Sequence, residues 1–177
     1  MSVPSASVPS GGSPAEVPPA RVPPARVPVA EVPVVNDREY PSRPFVGIGV
    51  VVIKGDQVLL CRRGKPPGVG SWTLPGGAQD LGETCEAAAR RELLEETGLS
   101  VGALRFCAHV DTIRRDEAGR VRFHYTILDF AARWEGGEAV AGSDVSEVQW
   151  ARLDDLGPYD LWSEAHRIIG IARALVG

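Results

Sequence analysis

Cysteine is scarce and scattered: the 177-residue chain has three, Cys61, Cys85 and Cys107. An odd number without CxxC spacing argues against a disulfide framework or a cysteine zinc site, and fits a reducing cytoplasm. Long apolar runs are missing too. The longest, Val46 to Ile53, has eight residues and includes two glycines. It is too short to span a membrane and reads as a buried strand. The N-terminus has neither the basic stretch nor the apolar core of a signal peptide, so nothing points to export. Excess positive charge is lacking as well. With a net charge of −4 the chain has no electrostatic footprint for a nucleic acid polymer. His109, His124 and His166 share no ligand spacing, which argues against a histidine metal centre.

What is present suffices for one domain with some excess length, since 44% of the residues are hydrophobic. Residues 1–44 form a separate regime and hold eleven of the fifteen prolines. Four pentapeptides repeat there: Ala15-Glu16-Val17-Pro18-Pro19, Ala20-Arg21-Val22-Pro23-Pro24, Ala25-Arg26-Val27-Pro28-Val29 and Ala30-Glu31-Val32-Pro33-Val34. Prolines this dense remove backbone donors and favour extended polyproline geometry, so the segment reads as a disordered tail. A docking peptide for a proline-binding partner is the alternative.

The globular domain, residues 45–177, is expected to open with two strands, Val46 to Lys54 and Gln57 to Arg62, around a Gly55-Asp56 turn. A loop from Gly64 to Gly70 follows, then a short strand Trp72-Thr73-Leu74 that Pro75-Gly76-Gly77 breaks. Residues 84–97 read as a helix with Thr84 as N-cap and Gly98 as terminator. Strands are expected at Val101 to Arg114 and Val121 to Ala131, around Asp116-Glu117-Ala118-Gly119. A loop containing Gly136, Gly137 and Gly142 leads to a strand at Glu147 to Leu153, and a helix at Leu161 to Leu175 closes the chain. Strands on both sides of a central helix, plus a terminal helix, predict an α/β fold: an α/β/α sandwich around a mixed β-sheet.

The central helix is the informative element. At about 100° per residue, Glu95 and Glu96 lie roughly 60° to one side and 40° to the other of Glu92. Most helical glutamates are solvated surface groups, usually set four residues ahead of a lysine or arginine. Glu86 and Arg90 obey that rule, but Glu92 and Glu96 place like charges at i and i+4. Such a pair costs roughly 0.2–0.5 kcal/mol in an isolated helix. No lysine on this helix relieves it, whereas a hard divalent cation would turn repulsion into coordination.

The residues around these carboxylates extend the pattern: Gly77, five residues, Glu83, seven residues, then Arg91-Glu92-Leu93-Leu94-Glu95-Glu96-Thr97-Gly98-Leu99. This resembles the Nudix box, GX5EX7REUXEEXGU with U aliphatic, at every defined position. The wider similarity to Nudix hydrolases covers about residues 45–176, including Trp72-x-Leu74-Pro75-Gly76-Gly77 and Glu147-x-x-Trp150. The resemblance implies a Nudix fold and hydrolysis of a nucleoside diphosphate linked to another moiety. It implies that Glu92, Glu95, Glu96 and the Gly76 carbonyl bind Mg²⁺ or Mn²⁺, with Glu83 and Arg91 orienting the cluster. Gln79 stands where an aliphatic residue is usual and Leu81 where proline is frequent, which puts the loop shape in question.

Divalent ions neutralise phosphate oxygens and lower the pKa of bound water, so metal-assisted attack of water on a pyrophosphate is the expected reaction. The general base is a box glutamate, Glu95 or Glu96, or else Asp144 or Glu147. Arg62, Arg63 and Lys65 flank the proline-rich loop where cations would meet phosphate oxygens, and Gly77 would let backbone approach the substrate. Arg114, Arg115, Arg120 and Arg122 read as solvated charge, with phosphate contact across a homodimer as the alternative. Phe123 and Tyr125 read as packing rather than base-stacking residues, and Trp72, Trp134, Trp150 and Trp162 as packing residues. The stretch from Arg62 to Gly68 resembles the bacterial ADP-ribose pyrophosphatase-like branch, although the proline common about fifteen residues past the box is absent. ADP-ribose or a related nucleotide sugar is therefore expected first, and a noncanonical or oxidised nucleoside triphosphate second. A noncatalytic nucleotide-binding module is the reading from another class, disfavoured because every box glutamate is kept.

Overall fold

The computed structural model describes residues 38–66, 68–142 and 144–177. The pentapeptide repeats lie outside the described residues. Two strands, β1 (Phe45–Lys54) and β2 (Gln57–Arg63), pair as a hairpin only at Ile53–Val58 and Lys54–Gln57. They then part, because each takes a different neighbour. Strand β3 (Trp72–Thr73) pairs with β2, while β4 (Gly76–Ala78) pairs antiparallel with Gly47 to Gly49 of β1. Gly76-Gly77 of the Pro75-Gly76-Gly77 segment, expected to be only a break, thus opens a strand. It carries no large side chain, so its pairing comes from backbone hydrogen bonds that residue patterning does not register. Gly76 has φ +149°, and a Cβ there would fall on the Ile48 carbonyl oxygen.

After helix α1 (Cys85–Thr97), β5 (Arg105–Arg115) and β6 (Val121–Arg133) form a long antiparallel hairpin, and β6 runs parallel to β1. Strand β7 (Val145–Arg152) lies on the far side of β2, and helix α2 (Ser163–Val176) ends the chain. The described residues therefore form a seven-stranded mixed sheet with the order β3-β2-β1-β6-β5 and with β4 and β7 branching from β1 and β2. β5 starts four residues later than expected. Arg90 donates to the carbonyls of Val101 and Gly102, which fixes that stretch as a loop.

Alternation along β1 divides the core in two. Ile48, Val50 and Val52 pack with Ala88, Ala89 and Leu93 of α1, while Val51 and Ile53 pack with Ala165, Ile168, Ile169 and Ala172 of α2. The expected sandwich follows from these two apolar faces. Thr84 caps α1 by accepting from the Ala87 N–H at 3.1 Å, and Gly98 ends the helix in the left-handed region, donating to the Leu94 carbonyl. Trp72, Trp134 and Trp150 pack against these cores, as expected. Trp162 does not: it sits at the N-terminus of α2 with 51% of its surface exposed.

Asp129 breaks the apolar pattern of β6. It is 3% exposed, lies beside Gly49 in register, and has one carboxylate oxygen without a hydrogen-bond partner among the described residues. Burial pushes its pKa up from 3.8 to about 6, with Arg167 opposing the shift. The folded state thus holds its proton more tightly than the unfolded chain, so this contribution to stability is complete below pH 3.8 and lost as pH rises through about 6. Asp129→Asn should therefore gain stability relative to the parent by roughly 1–3 kcal/mol on going from about pH 4 to pH 8. Urea unfolding at the two pH values measures it; a difference independent of pH would contradict the assignment.

Candidate active site

The site forms where β4 meets α1. Helix α1 starts eight residues after Gly77, and its first turns bring Arg91 back over the connecting loop. The Arg91 guanidinium grips Glu83 with two bonds, Nε to Oε1 at 2.8 Å and Nη2 to Oε2 at 2.9 Å. Its remaining donors reach Glu92 Oε1 at 2.8 Å, the Ala78 carbonyl at 3.0 Å and Glu95 Oε2 at 3.4 Å. One side chain thereby ties the loop, β4 and two box glutamates together. Glu83 also accepts from the Asp80 N–H at 3.0 Å, and with Arg91 this lowers its pKa to about 2. The hydrogen bond to Glu83 in turn moves Arg91 upward. Gln79 donates through Nε2 to the Glu83 carbonyl at 2.7 Å, so the unusual residue at this position fastens the loop with a polar contact. Leu81 is fully exposed.

Glu96 is held differently. Its Oε2 accepts from the Gly76 N–H at 2.8 Å. Burial raises its pKa to about 7, opposed by that bond and reinforced by the charges of Glu92 and Asp144, while Arg63 pulls it down. Burial also raises Glu92, against the pull of Arg91. Gly77 lies close under the Glu92 carboxylate, where a Cβ would occupy the space of that group. Gly77 thus makes room for a box glutamate.

Sequence patterning missed the segment that seals the C-terminal end of α1. Val140 N–H donates to the Thr97 carbonyl and Gly142 N–H to the Glu96 carbonyl, each at 2.9 Å, satisfying carbonyls that a helix end leaves open. A Cβ on Gly142 would fall on the Glu95 carbonyl oxygen. The chain then passes to Asp144, whose carbonyl accepts from the Gly64 N–H at 2.9 Å. The segment's sequence signal was Gly142, one of three glycines in the expected loop.

The basic residues expected to meet substrate are distributed unequally. Arg63 lies near enough to Glu96 to act on its charge. Arg62 is engaged within the protein: Nε donates to the Gly70 carbonyl at 3.0 Å, Nη1 approaches Glu147 Oε2 at 3.4 Å, and the guanidinium lies 6.0 Å from the Trp72 ring centre. Lys65 forms an ion pair with Asp144. Asp144 and Glu147, the loop acids expected as alternative bases, are therefore both paired with cations of the β2–β3 region. On the distant β5–β6 hairpin, Arg120 pairs with Asp116 and Arg122 with Glu39.

As the side chains stand, no three acidic groups among the described residues are close enough to hold one ion. The donor set nevertheless fits a hard divalent cation. Glu92, Glu95 and Glu96 supply only oxygen, and burial raises both Glu92 and Glu96, with a smaller push from a neighbouring carboxylate, Glu95 and Glu92 respectively.

The NUDIX domain family matches residues 43–169. The chain belongs to the Nudix family. An ADP-ribose pyrophosphatase of Methanocaldococcus jannaschii is 35% identical over 113 residues, covering 64% of this chain and 64% of its own length. An oxidized purine nucleoside triphosphate hydrolase of Danio rerio is 34% identical over 115 residues, or 65% of this chain and 70% of that protein. Among solved structures, a MutT Nudix hydrolase from Burkholderia pseudomallei superposes with a TM-score of 0.64 at 29% identity, over 73% of this chain and 98% of that one. The Nudix α/β fold expected from the sequence is therefore the fold of this chain.

Arg91→Lys tests the hub, since it keeps the charge and removes the fork that grips Glu83. A displacement of about 1 Å in a catalytic array costs on the order of 100-fold, so kcat should fall by about that factor with the fold retained. A fall below about fivefold would show that the array does not depend on Arg91.

Proposed function

We propose that this Nudix chain is a Mg²⁺-dependent pyrophosphohydrolase that cleaves the phosphoric anhydride of a nucleoside diphosphate linked to another moiety, with ADP-ribose or a related nucleotide sugar as substrate. The observation that carries the reading is the carboxylate array of α1, organised by Arg91 against the Gly76–Gly77 backbone, in a chain of a family of pyrophosphatases. The archaeal relative's name supports ADP-ribose. The zebrafish relative's name, at nearly equal identity, keeps an oxidised purine nucleoside triphosphate as the second reading.

Glu92, Glu95 and Glu96, with the Gly76 carbonyl, are the groups that would hold Mg²⁺, or Mn²⁺ in its place. Bound there, the ion supplies neutralisation of phosphate charge and a lowered pKa for coordinated water. The chain's own residues do the positioning. Arg91 and Glu83 hold Glu92, the Gly76 N–H holds Glu96, and Arg63 presents positive charge beside Glu96 where phosphate oxygens would approach. Among the three glutamates Glu95 is the least restrained: its side chain is 54% exposed and its contact with Arg91 is 3.4 Å long. We therefore assign Glu95 as the group that takes the proton from the attacking water.

The substrate is tested by incubating the purified protein with Mg²⁺ and ADP-ribose, NADH, diadenosine polyphosphates, nucleotide sugars or 8-oxo-dGTP, and measuring phosphorylated products. The highest kcat/KM is expected with ADP-ribose or a nucleotide sugar. A clear preference for 8-oxo-dGTP would select the second reading, and nucleotide binding without turnover of any compound would select a noncatalytic module. Glu95→Gln should lower kcat by about 10²–10⁴-fold, the usual range for loss of a general base. Retained kcat in this variant would exclude the assigned role.

A further inference from the structure

We propose that the outer edge of β5 is a homodimer interface. There β5 pairs antiparallel with β5 of a second copy, about a two-fold axis at Val110, and the two sheets join into one.

β5 is the last strand in the order β3-β2-β1-β6-β5, and among the described residues no strand pairs with its outer side. It is 11 residues long. A free edge of that length offers a row of backbone donors and acceptors to another strand, and proteins usually block such edges with charge. On β5 the charge is placed so that a second copy of the same edge answers it. Two strands, β6 and β1, separate this edge from β4 and the box, so the inference stands independently of the substrate reading.

The face of the sheet that packs on α1 carries the argument. His109 is in register with Leu128, Asp111 with Thr126 and Ile113 with His124. Leu128 packs against the core under α1, so these three β5 residues lie on that face. Phe106 joins them in spite of its spacing. The register shifts between Phe106 and Ala108, and the Phe106 ring meets Phe130 of the same core edge-on, 6.1 Å between centres. All four residues are exposed, Phe106 by 56% and Ile113 by 49%.

The stripe therefore runs apolar, imidazole, carboxylate, apolar, and is self-complementary about Val110. Antiparallel pairing centred there sets His109 opposite Asp111 of the second copy, and Asp111 opposite its His109. The bulge then brings Phe106 level with Ile113 of the second copy. By symmetry every pair occurs twice. Asp111 already accepts from Thr126 Oγ1 at 2.7 Å, and a carboxylate has lone pairs for a second donor such as the His109 imidazole. Opposite charges and aromatic–aliphatic contacts directly across two strands stabilise their pairing. Moving the axis by one residue would set Asp111 or His109 against itself, so the register is fixed. Beyond Phe106, Arg105 would meet Arg114 of the second copy, and like charge closes the interface at each end.

Sedimentation of the full chain over a concentration series tests the interface, and a monomer–dimer equilibrium is expected. His109→Asp and Asp111→Lys each spoil both symmetric pairs, and each should weaken dimerisation roughly tenfold. The double variant His109→Asp/Asp111→Lys reinstates opposite charges and should return the dissociation constant to within about threefold of the parent. Both positions are exposed, so circular dichroism should show the same fold in every variant. In the parent itself, amides at alternate positions between Ala108 and Thr112 should exchange more slowly in concentrated than in dilute solution. A parent that stays monomeric throughout the series overturns the proposal, as does exchange at these amides that ignores concentration. A dimer that neither charge variant weakens, or that the double variant does not restore, overturns it equally.

Discussion

The two-armed bond between Arg91 and Glu83 is the interaction on which the site depends. It joins a helix to the loop that precedes it, and Arg91 uses its other donors to fix Glu92 and the Ala78 carbonyl. A lysine could supply the charge but not five donors in one plane. Without this fork, the half-buried Glu92 and the exposed Glu95 would repel each other with little to set their direction. Because the bond is fed from both ends, by the Asp80 N–H on Glu83 and by Glu92 on Arg91, it is a network and not an isolated pair.

The sheet makes room for this network by splitting. β1 and β2 pair for only two residues before β4 and β3 replace each as the other's neighbour. That change of partner brings the Gly76 N–H to Glu96 and Gly77 under Glu92, two approaches that side chains at these positions would block. The site is closed at its other end by the segment through Gly142, which satisfies helix carbonyls and carries Asp144 to the margin of the box. Backbone groups therefore do much of the positioning, while the glutamates supply the charge.

This division explains what could be read from the residues. The helix and its Thr84 cap, the β1–β2 turn and the two apolar faces all leave periodic or capping signals, so the α/β sandwich was legible. The placing of Glu92, Glu95 and Glu96 on one helix followed from spacing alone. The β4 strand was not legible, because Pro75-Gly76-Gly77 carries the composition of a break and pairs through backbone only. Nor was the Lys65–Asp144 pair, whose partners are 79 residues apart and have no shared pattern. Arg62, Arg63 and Lys65 looked equivalent as a basic run. They differ because alternation and a register shift at Arg62/Arg63 send them to different neighbours. Trp162 looked like a core residue because tryptophans usually are, yet its place at the open end of α2 leaves it half exposed.

The charges of the array are balanced unevenly, and the imbalance has a direction. At the Glu83 end, one guanidinium compensates several carboxylates and Glu83 stays ionised far below neutral pH. At the Glu96 end there is a backbone N–H and a more distant arginine, set against burial and two neighbouring acids, and Glu96 is poised near pH 7. An array compensated throughout would have no electrostatic reason to take up a cation; one compensated nowhere would strain the helix that carries it. Here Arg91 holds the rigid half, and the less compensated charge lies beside the Gly76 backbone. The repulsion between helical neighbours, costly in an isolated helix, is thus left standing at that end of the array, while Arg91 offsets it at the other.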